Sequence, residues 1–337
     1  MYKRQTIAKT ITSENINEVY PTYYPPRKTP KECYEQIIAD LTDAEQYAPD
    51  NDNSDRTKMT KTVAQAMLAK VYAEKEVQDY DKVIAYADKV MNTTGVELED
   101  SYETLWGYDE TAKDCMKRNT KEGILEVHWT TGSGNWETWM YGRQLDNWDY
   151  NFTWAKWITP SRDIINDFDK EGDEVRKNQA IVYYACTWSN YYPASNYPFM
   201  YKLRSSYNNI YWVRLADIIL MKAEAEAYKG NLAESAKLVN QIRKRAKLKE
   251  LTSDKTGSKE SMIEAVLHER RLELAFEGER WFDLCRNNKV EQYLNGIDNR
   301  DSGRIRQVRQ FDGNSYLLPI PQTALDQNTN LEQNPGY

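Results

Sequence analysis

Apolar residues recur three and four positions apart over much of this chain, the spacing that gathers them on one face of an α-helix. In "TPKECYEQIIADLTDAEQYA" (29–48), Thr29 is placed to cap, Pro30 to occupy the first helical position and Glu32 to close a capping box. Tyr34, Ile37, Ile38, Leu41, Ala44 and Ala48 then form one stripe. The segment "TVAQAMLAKVYAEKEVQDYDKVIAYADKVM" (62–91) reads as two helices joined near Gln78 and Asp79. A matching unit spans 213–246, with Gly230-Asn231 as its turn. Both have the small-residue and aromatic pattern of a tetratricopeptide hairpin of about 34 residues. Such hairpins stabilise each other only as neighbours, so the pair needs further helices to complete its stack. The pattern predicts an all-α fold of tetratricopeptide-like hairpins with long irregular loops. Its parts are a helical segment over 30–91, an aromatic, loop-rich insertion over 92–211 and a C-terminal helical segment over 212–337.

One stretch resists simple amphipathic reading. "LHERRLELAFEGERWFDLCR" (267–286) has helical apolar spacing yet carries nine formally charged residues. Read as one helix continuing from Ser258, it places Glu269, Glu273, Glu277 and Arg280 in a narrow arc bounded by Arg270, facing inward. Carboxylates four apart lie about 6 Å from each other, which overlaps glycosidase separations. The interleaved arginines argue for the other reading, because a neighbouring cation lowers a carboxyl pKa while a glycosidase acid needs its pKa raised. Glu269, Arg270, Glu273, Glu277 and Arg280 are therefore expected to form a structural ion-pair network.

Charge and composition narrow the partners. The 337-residue chain has a formal net charge of −7 and no long Lys/Arg run, which excludes a nucleic-acid surface. Cys33, Cys115, Cys186 and Cys285 are scattered, so neither a zinc site nor a disulfide framework is indicated. Two histidines, no nucleophile elbow, no phosphate-binding glycine loop and no EF-hand spacing leave no catalytic constellation, and no cofactor or metal is expected. "NDFDKEGDEVR" (166–176) is acid-rich but lacks alternating calcium ligands, so it reads as a solvated turn.

Chemistry is sought instead among the 25 Tyr and 10 Trp. Six tryptophans fall between Trp129 and Trp157. Flat pyranose faces stack on Trp and Tyr rings while sugar hydroxyls take partners such as Arg, Asn and Asp. Trp136, Trp139, Tyr141 and Trp148, interleaved with Arg143, Asn147 and Asp149, are the first candidate ligand residues. Trp154 and Trp157 look more like packing residues. A second aromatic loop, "CTWSNYYPASNYPF" (186–199), adds Trp188, Tyr191 and Tyr192.

Four motifs carry a family resemblance: "WVRLADIILMKAEAEAYKGN" (212–231), the charged stretch, "YLLPIPQTAL" (316–325) and "NLEQNPGY" (330–337). In this order and spacing they resemble the SusD/RagB family, surface lipoproteins that capture nutrients, mostly glycans, for a TonB-dependent outer-membrane transporter. The likeness extends upstream through "WITPSRDIINDFDKEGDEVR" (157–176), where it makes the Asp173–Arg176 step a structural turn. It implies one SusD-like domain over 1–337, a glycan ligand, a SusC-like partner and no reaction. Family chains start with a signal peptide, a lipid-carrying cysteine and a longer N-terminal portion. The sequence thus reads as an N-terminally truncated member, whose membrane association would run only through a lipid anchor absent from this chain. Other readings of the same scaffold are a helical-repeat adaptor for protein partners and, last, a glycoside hydrolase.

Overall fold

Thr29 opens the first helix as a cap must. Its hydroxyl accepts from the Glu32 N–H (3.2 Å) and the Glu32 carboxylate accepts from the Thr29 N–H (2.9 Å). The structure, a computed structural model, describes residues 23–109, 111–112, 114–129, 159–186, 189–204, 208–301 and 309–337. Helix α1 (Pro30–Tyr47) is followed by α2 (Lys61–Ala73) and α3 (Tyr80–Met91). The insertion contributes strand β1 (Gly123–Val127), helices α4 (Arg162–Glu171) and α5 (Glu174–Ala180), and strands β2 (Ile181–Tyr184), β3 (Tyr197–Met200) and β4 (Ile210–Arg214). The chain then returns to helices α6 (Leu215–Lys229), α7 (Leu232–Arg245), α8 (Lys259–Glu273) and α9 (Arg280–Arg286).

The two hairpins, distant in sequence, are neighbours in space. Ala87 and Val90 of α3 share one core with Ile218, Ile219 and Ala223 of α6 and with Leu238, Val239 and Ile242 of α7. Gly230, at φ +85°, supplies the left-handed cap that turns α6 into α7. Helix α6 is the axis of the stack: every residue from Leu215 to Ala227 is buried, with α2, α3, α7 and α8 against it. Its alanines let those neighbours approach closely. Helix α1 packs mainly on α2, with Glu45 taking an ion pair from Lys89 of α3 (2.7 Å), so its stripe is only half covered; Ile38 and Leu41 join a core cluster while Ile37 is 40% exposed. The all-α scaffold also carries small antiparallel ladders that periodicity did not predict. β1 pairs with β4 (Leu125 opposite Val213) and β2 with β3 (Ile181 opposite Met200), which fastens the insertion to the point where β4 runs into α6.

The charged stretch departs from the continuous helix its spacing suggests. Helix α8 stops at Glu273, and left-handed backbone at Phe276 (φ +66°) and Gly278 (φ +89°) separates it from α9. Glu269, Arg270 and Glu273 are wholly buried. Glu273 accepts from Arg214 (2.6 Å), Arg176 (3.2 Å) and Arg245; Glu269 accepts from Arg176 (2.6 Å) and Arg243 (3.0 Å). Glu277, beyond the helix end, accepts from Lys202 (2.6 Å) and Arg214 (2.7 Å). Arg270 turns the other way, to Asp217 (2.7 Å) and Asp283 (2.9 Å). Arg280 is not part of this network, because the break carries it away from the glutamate row. It donates to the Leu267 carbonyl (3.2 Å), lies over the Tyr293 ring at 4.7 Å, and among the described residues has no carboxylate partner.

Burial alone would raise the Glu273 carboxyl pKa, but Arg245, Arg214 and Arg176 hold it well below the usual range. At the fringe of the network, the hydrogen bond from His268, with help from Arg243, holds Glu171 down to about 2. The Asp173–Arg176 step is a buried turn, Asp173 capping α5 while its carboxylate takes the Arg176 guanidinium. All four cysteines are buried free thiols.

Two outcomes follow for stability. Glu273→Ala leaves buried guanidiniums without their carboxylate and should destabilise by about 3 to 5 kcal/mol, whereas Glu35→Ala, removing the exposed pair that Glu35 makes with Lys31 on α1 (3.8 Å), should cost under about 1 kcal/mol. Urea midpoints followed by circular dichroism compare the two. A carboxyl with a depressed folded-state pKa contributes stability that is present above its unfolded value, near 4.5 for Glu171, and is lost as pH falls toward about 2. The midpoint difference between the wild type and Glu171→Gln should therefore be full at pH 6 and shrink through pH 4 to 3.

Candidate functional site

The loop joining β2 to β3 is drawn closed by a hydrogen bond from the Cys186 N–H to the Ala194 carbonyl (2.7 Å). It presents Tyr191 and Tyr192 edge to face, ring centroids 4.9 Å apart, and Tyr192 meets Tyr197 in the same manner at 5.6 Å. Arg162, on the first turn of α4, sets this pair in place. Its guanidinium lies 4.6 Å from the Tyr191 ring and 4.1 Å from the Tyr192 ring, and it donates to the Tyr191 carbonyl. Its other arm donates to Asp301 (2.9 Å), a fully buried carboxylate that also accepts from the Tyr191 hydroxyl. The Tyr192 hydroxyl donates to the Pro160 carbonyl (2.8 Å). Each ring is thus fixed at both its face and its phenol.

An open cleft of about 930 Å³ lies over this assembly, lined by Arg162, Ser189, Asn190, Tyr191 and Tyr192 with Cys186, Pro193 and Ala194. Burial pushes the Tyr192 phenol above its ordinary pKa, with Arg162 pulling the other way, so the ring stays neutral at physiological pH. Burial also works against the charge on Arg162, but the hydrogen bond to Asp301 restores it. The cleft therefore offers two half-buried aromatic rings, hydroxyl and amide groups, and a cation already matched by an anion. Such a surface is suited to a neutral, hydroxyl-rich ligand with flat apolar faces.

Of the candidate ligand residues, Tyr191 and Tyr192 are brought together here. Trp136, Trp139, Tyr141, Arg143, Asn147, Trp148, Asp149 and Trp188 lie outside the described residues. Arg162 and Asp301 are the parts of the cleft that sequence reasoning missed. Arg162 follows the helix cap Ser161, where it reads as an ordinary first-turn residue, and Asp301 lies far along the chain. Chemistry at α8 is disfavoured by its geometry: Glu269 and Glu273 are enclosed, and every available oxygen faces a guanidinium. Among the described residues, no group of three His, Cys, Asp or Glu is arranged to hold a metal ion, and no helix is long and apolar enough to cross a membrane.

Fold and cleft together define a class: a scaffold of helical hairpins with an open aromatic cleft on the loops inserted into it. Residues 50–337 match the SusD family, and residues 6–73 match a family described as "Starch-binding associating with outer membrane". The chain belongs to the SusD family. It is 28% identical to SusD-like protein P2 of Formosa agariphila over 92% of this chain, and it spans 66% of that relative's length. Among solved structures, a SusD-like protein from Bacteroides fragilis superposes with a TM-score of 0.73 at 21% identity, covering 100% of this chain and 76% of that one. A "Laminarin binding SusD-like protein" superposes at 0.68 with 24% identity, over 92% of this chain and 70% of its own.

Removing Arg162 tests how the cleft is held. Arg162→Ala leaves the buried Asp301 carboxylate, among the described residues, with the Tyr191 hydroxyl alone, and should destabilise by about 2 kcal/mol, between the values for exposed and fully buried pairs. Near-ultraviolet circular dichroism should lose tyrosine signal in the same variant.

Proposed function

We propose that this protein is a glycan-binding member of its family, acting at the cell surface as a lipid-anchored protein of the outer membrane. It delivers oligosaccharide or polysaccharide to a SusC-like, TonB-dependent transporter. The observation that carries the binding reading is the Tyr191–Tyr192 pair, locked by Arg162 and Asp301 beneath an open cleft with polar groups at its wall. Rings held at face and phenol lose little freedom when a sugar stacks on them, so little of the contact energy is spent on ordering. Family membership supports the same reading, as do a match described as starch-binding and outer-membrane-associated and a similar fold in a laminarin-binding protein. Trp136, Trp139, Tyr141, Arg143, Asn147, Trp148, Asp149 and Trp188 are further candidate contacts in this proposal. The carboxylates of α8 serve packing in this reading, and no reaction is catalysed. A protein-binding adaptor would use the concave side of the hairpins and leave the tyrosine cleft indifferent to sugars.

Calorimetric titration with neutral oligosaccharides separates these readings. Tyr192→Ala should weaken binding by about 1 to 3 kcal/mol, the range of a stacking hot spot, with the unfolding midpoint changed by less. Undiminished binding in the folded variant would move the site to the 136–149 stretch. Solubilised outer membranes from cells expressing the anchored protein should yield a TonB-dependent barrel on affinity purification, since a lid must bury a standard-sized interface or more to remain attached.

A further inference from the structure

A second cavity, of about 500 Å³, opens at the break between α8 and α9. That volume is within the roughly 300 to 1,000 Å³ of small-ligand sites. Three arginines line it, with Ser161, Phe276 and Trp281 also on its wall; the Trp281 ring packs against Phe311 and Tyr316. Two of the arginines are spent. Arg270 gives its donors to Asp217 and Asp283, and Arg271 gives its own to Asp163 (2.8 Å) and Asp167. Arg280 differs. Among the described residues its one hydrogen bond goes to the Leu267 carbonyl at 3.2 Å, and the Tyr293 ring against its guanidinium supplies no formal charge. A guanidinium has five N–H donors in a planar fork that matches a carboxylate at two points.

The surroundings sharpen the mismatch. Asp283 and Asp167 influence Arg280 from a distance, but each is in contact with other arginines. Burial, and after it the neighbouring Arg271, make the charged form of Arg280 harder to hold. A half-buried cation with no carboxylate in contact among the described residues is costly, and an entering anion would relieve that cost. The remaining wall, from Leu274, Phe276 and Trp281, is apolar and aromatic, suited to the flat face of a sugar ring.

We propose that this cavity binds the carboxylate of a hexuronic acid residue, with Arg280 as the carboxylate receptor and Trp281 beside the sugar ring. The site is distinct in charge from the tyrosine cleft, where Asp301 already neutralises Arg162. The two meet at one turn, since Thr159 and Ser161 line this cavity and Arg162 lines the other. A glycan carrying both neutral and acidic residues could then be read at two adjoining positions. This inference rests on the reading of the protein as a glycan binder and specifies which glycans it takes.

The test titrates the whole chain calorimetrically with three probes: trigalacturonate, its fully methyl-esterified form, and a neutral glucose trisaccharide. The free acid should bind, and esterification, which removes the charge and caps the carboxylate with a methyl group, should weaken binding by about tenfold or more. Arg280→Gln should lower trigalacturonate affinity by a similar factor and leave the neutral trisaccharide unaffected, with circular dichroism reporting the fold. Equal binding of acid and ester overturns the proposal even if the variant fails to fold, because that comparison uses the unaltered chain. Unchanged trigalacturonate affinity in folded Arg280→Gln overturns it as well. Binding of the neutral sugar without the acid overturns this inference and leaves the glycan-binding reading standing, whereas no binding by any probe removes both.

Discussion

The structure turns on one carboxylate shared by three guanidiniums. Glu273, at the end of α8, receives Arg176 from α5, Arg214 from the joint of β4 and α6, and Arg245 from the end of α7. A buried ion pair is poor value as net stability, because desolvating the charges consumes most of the Coulombic gain. Its worth is directional. Any shift of one element past another leaves a charge unpaired in a low-dielectric interior, so the arrangement admits few alternatives. The insertion is consequently held to the helical stack at fixed points, and α4, which leads directly into α5, carries Arg162 to the tyrosine loop at a defined position.

Helix α6 imposes a related constraint. It is buried on all sides, yet it contains Asp217, Lys222, Glu224 and Glu226. Each has a partner on a different neighbour or turn: Lys70 and Arg270 for Asp217, Asp88 for Lys222, Arg286 for Glu224, and Asn231 for Glu226. Apolar packing alone would let neighbouring hairpins slide along an alanine-rich surface. The charges set their register.

The same interior also accounts for the contrast between the two clefts. Cations near α8 and α9 are matched almost one for one by carboxylates, and Arg162 by Asp301, so an open cleft above matched charges presents a neutral surface. Arg280 escapes the matching because the chain leaves the helix at Phe276 and Gly278. A local feature of the backbone thereby leaves Arg280, among the described residues, without a carboxylate partner.

The sequence by itself determined most of the helical pieces and several of their ends. The Thr29 cap, the turns at Gln78 and Gly230, and the inward glutamates are all local: they depend on a 3.6-residue period and on side chains that bond their own backbone within a few positions. The family motifs were legible for the same reason. What only the tertiary structure decided is which distant groups meet. Glu269 and Glu273 find arginines 26 to 97 residues away rather than those interleaved with them. The break after Glu273 was hidden because Phe276 and Gly278 fit a helical pattern as well as a turn, and Arg280 was misplaced with it. Tyr191 and Tyr192 were visible as an aromatic loop, but the arginine that orders them lies 29 residues earlier and the aspartate that fixes it 110 residues later than Tyr191. Periodicity reports what one element does with its own face; a cleft made by three segments is settled only when the chain packs.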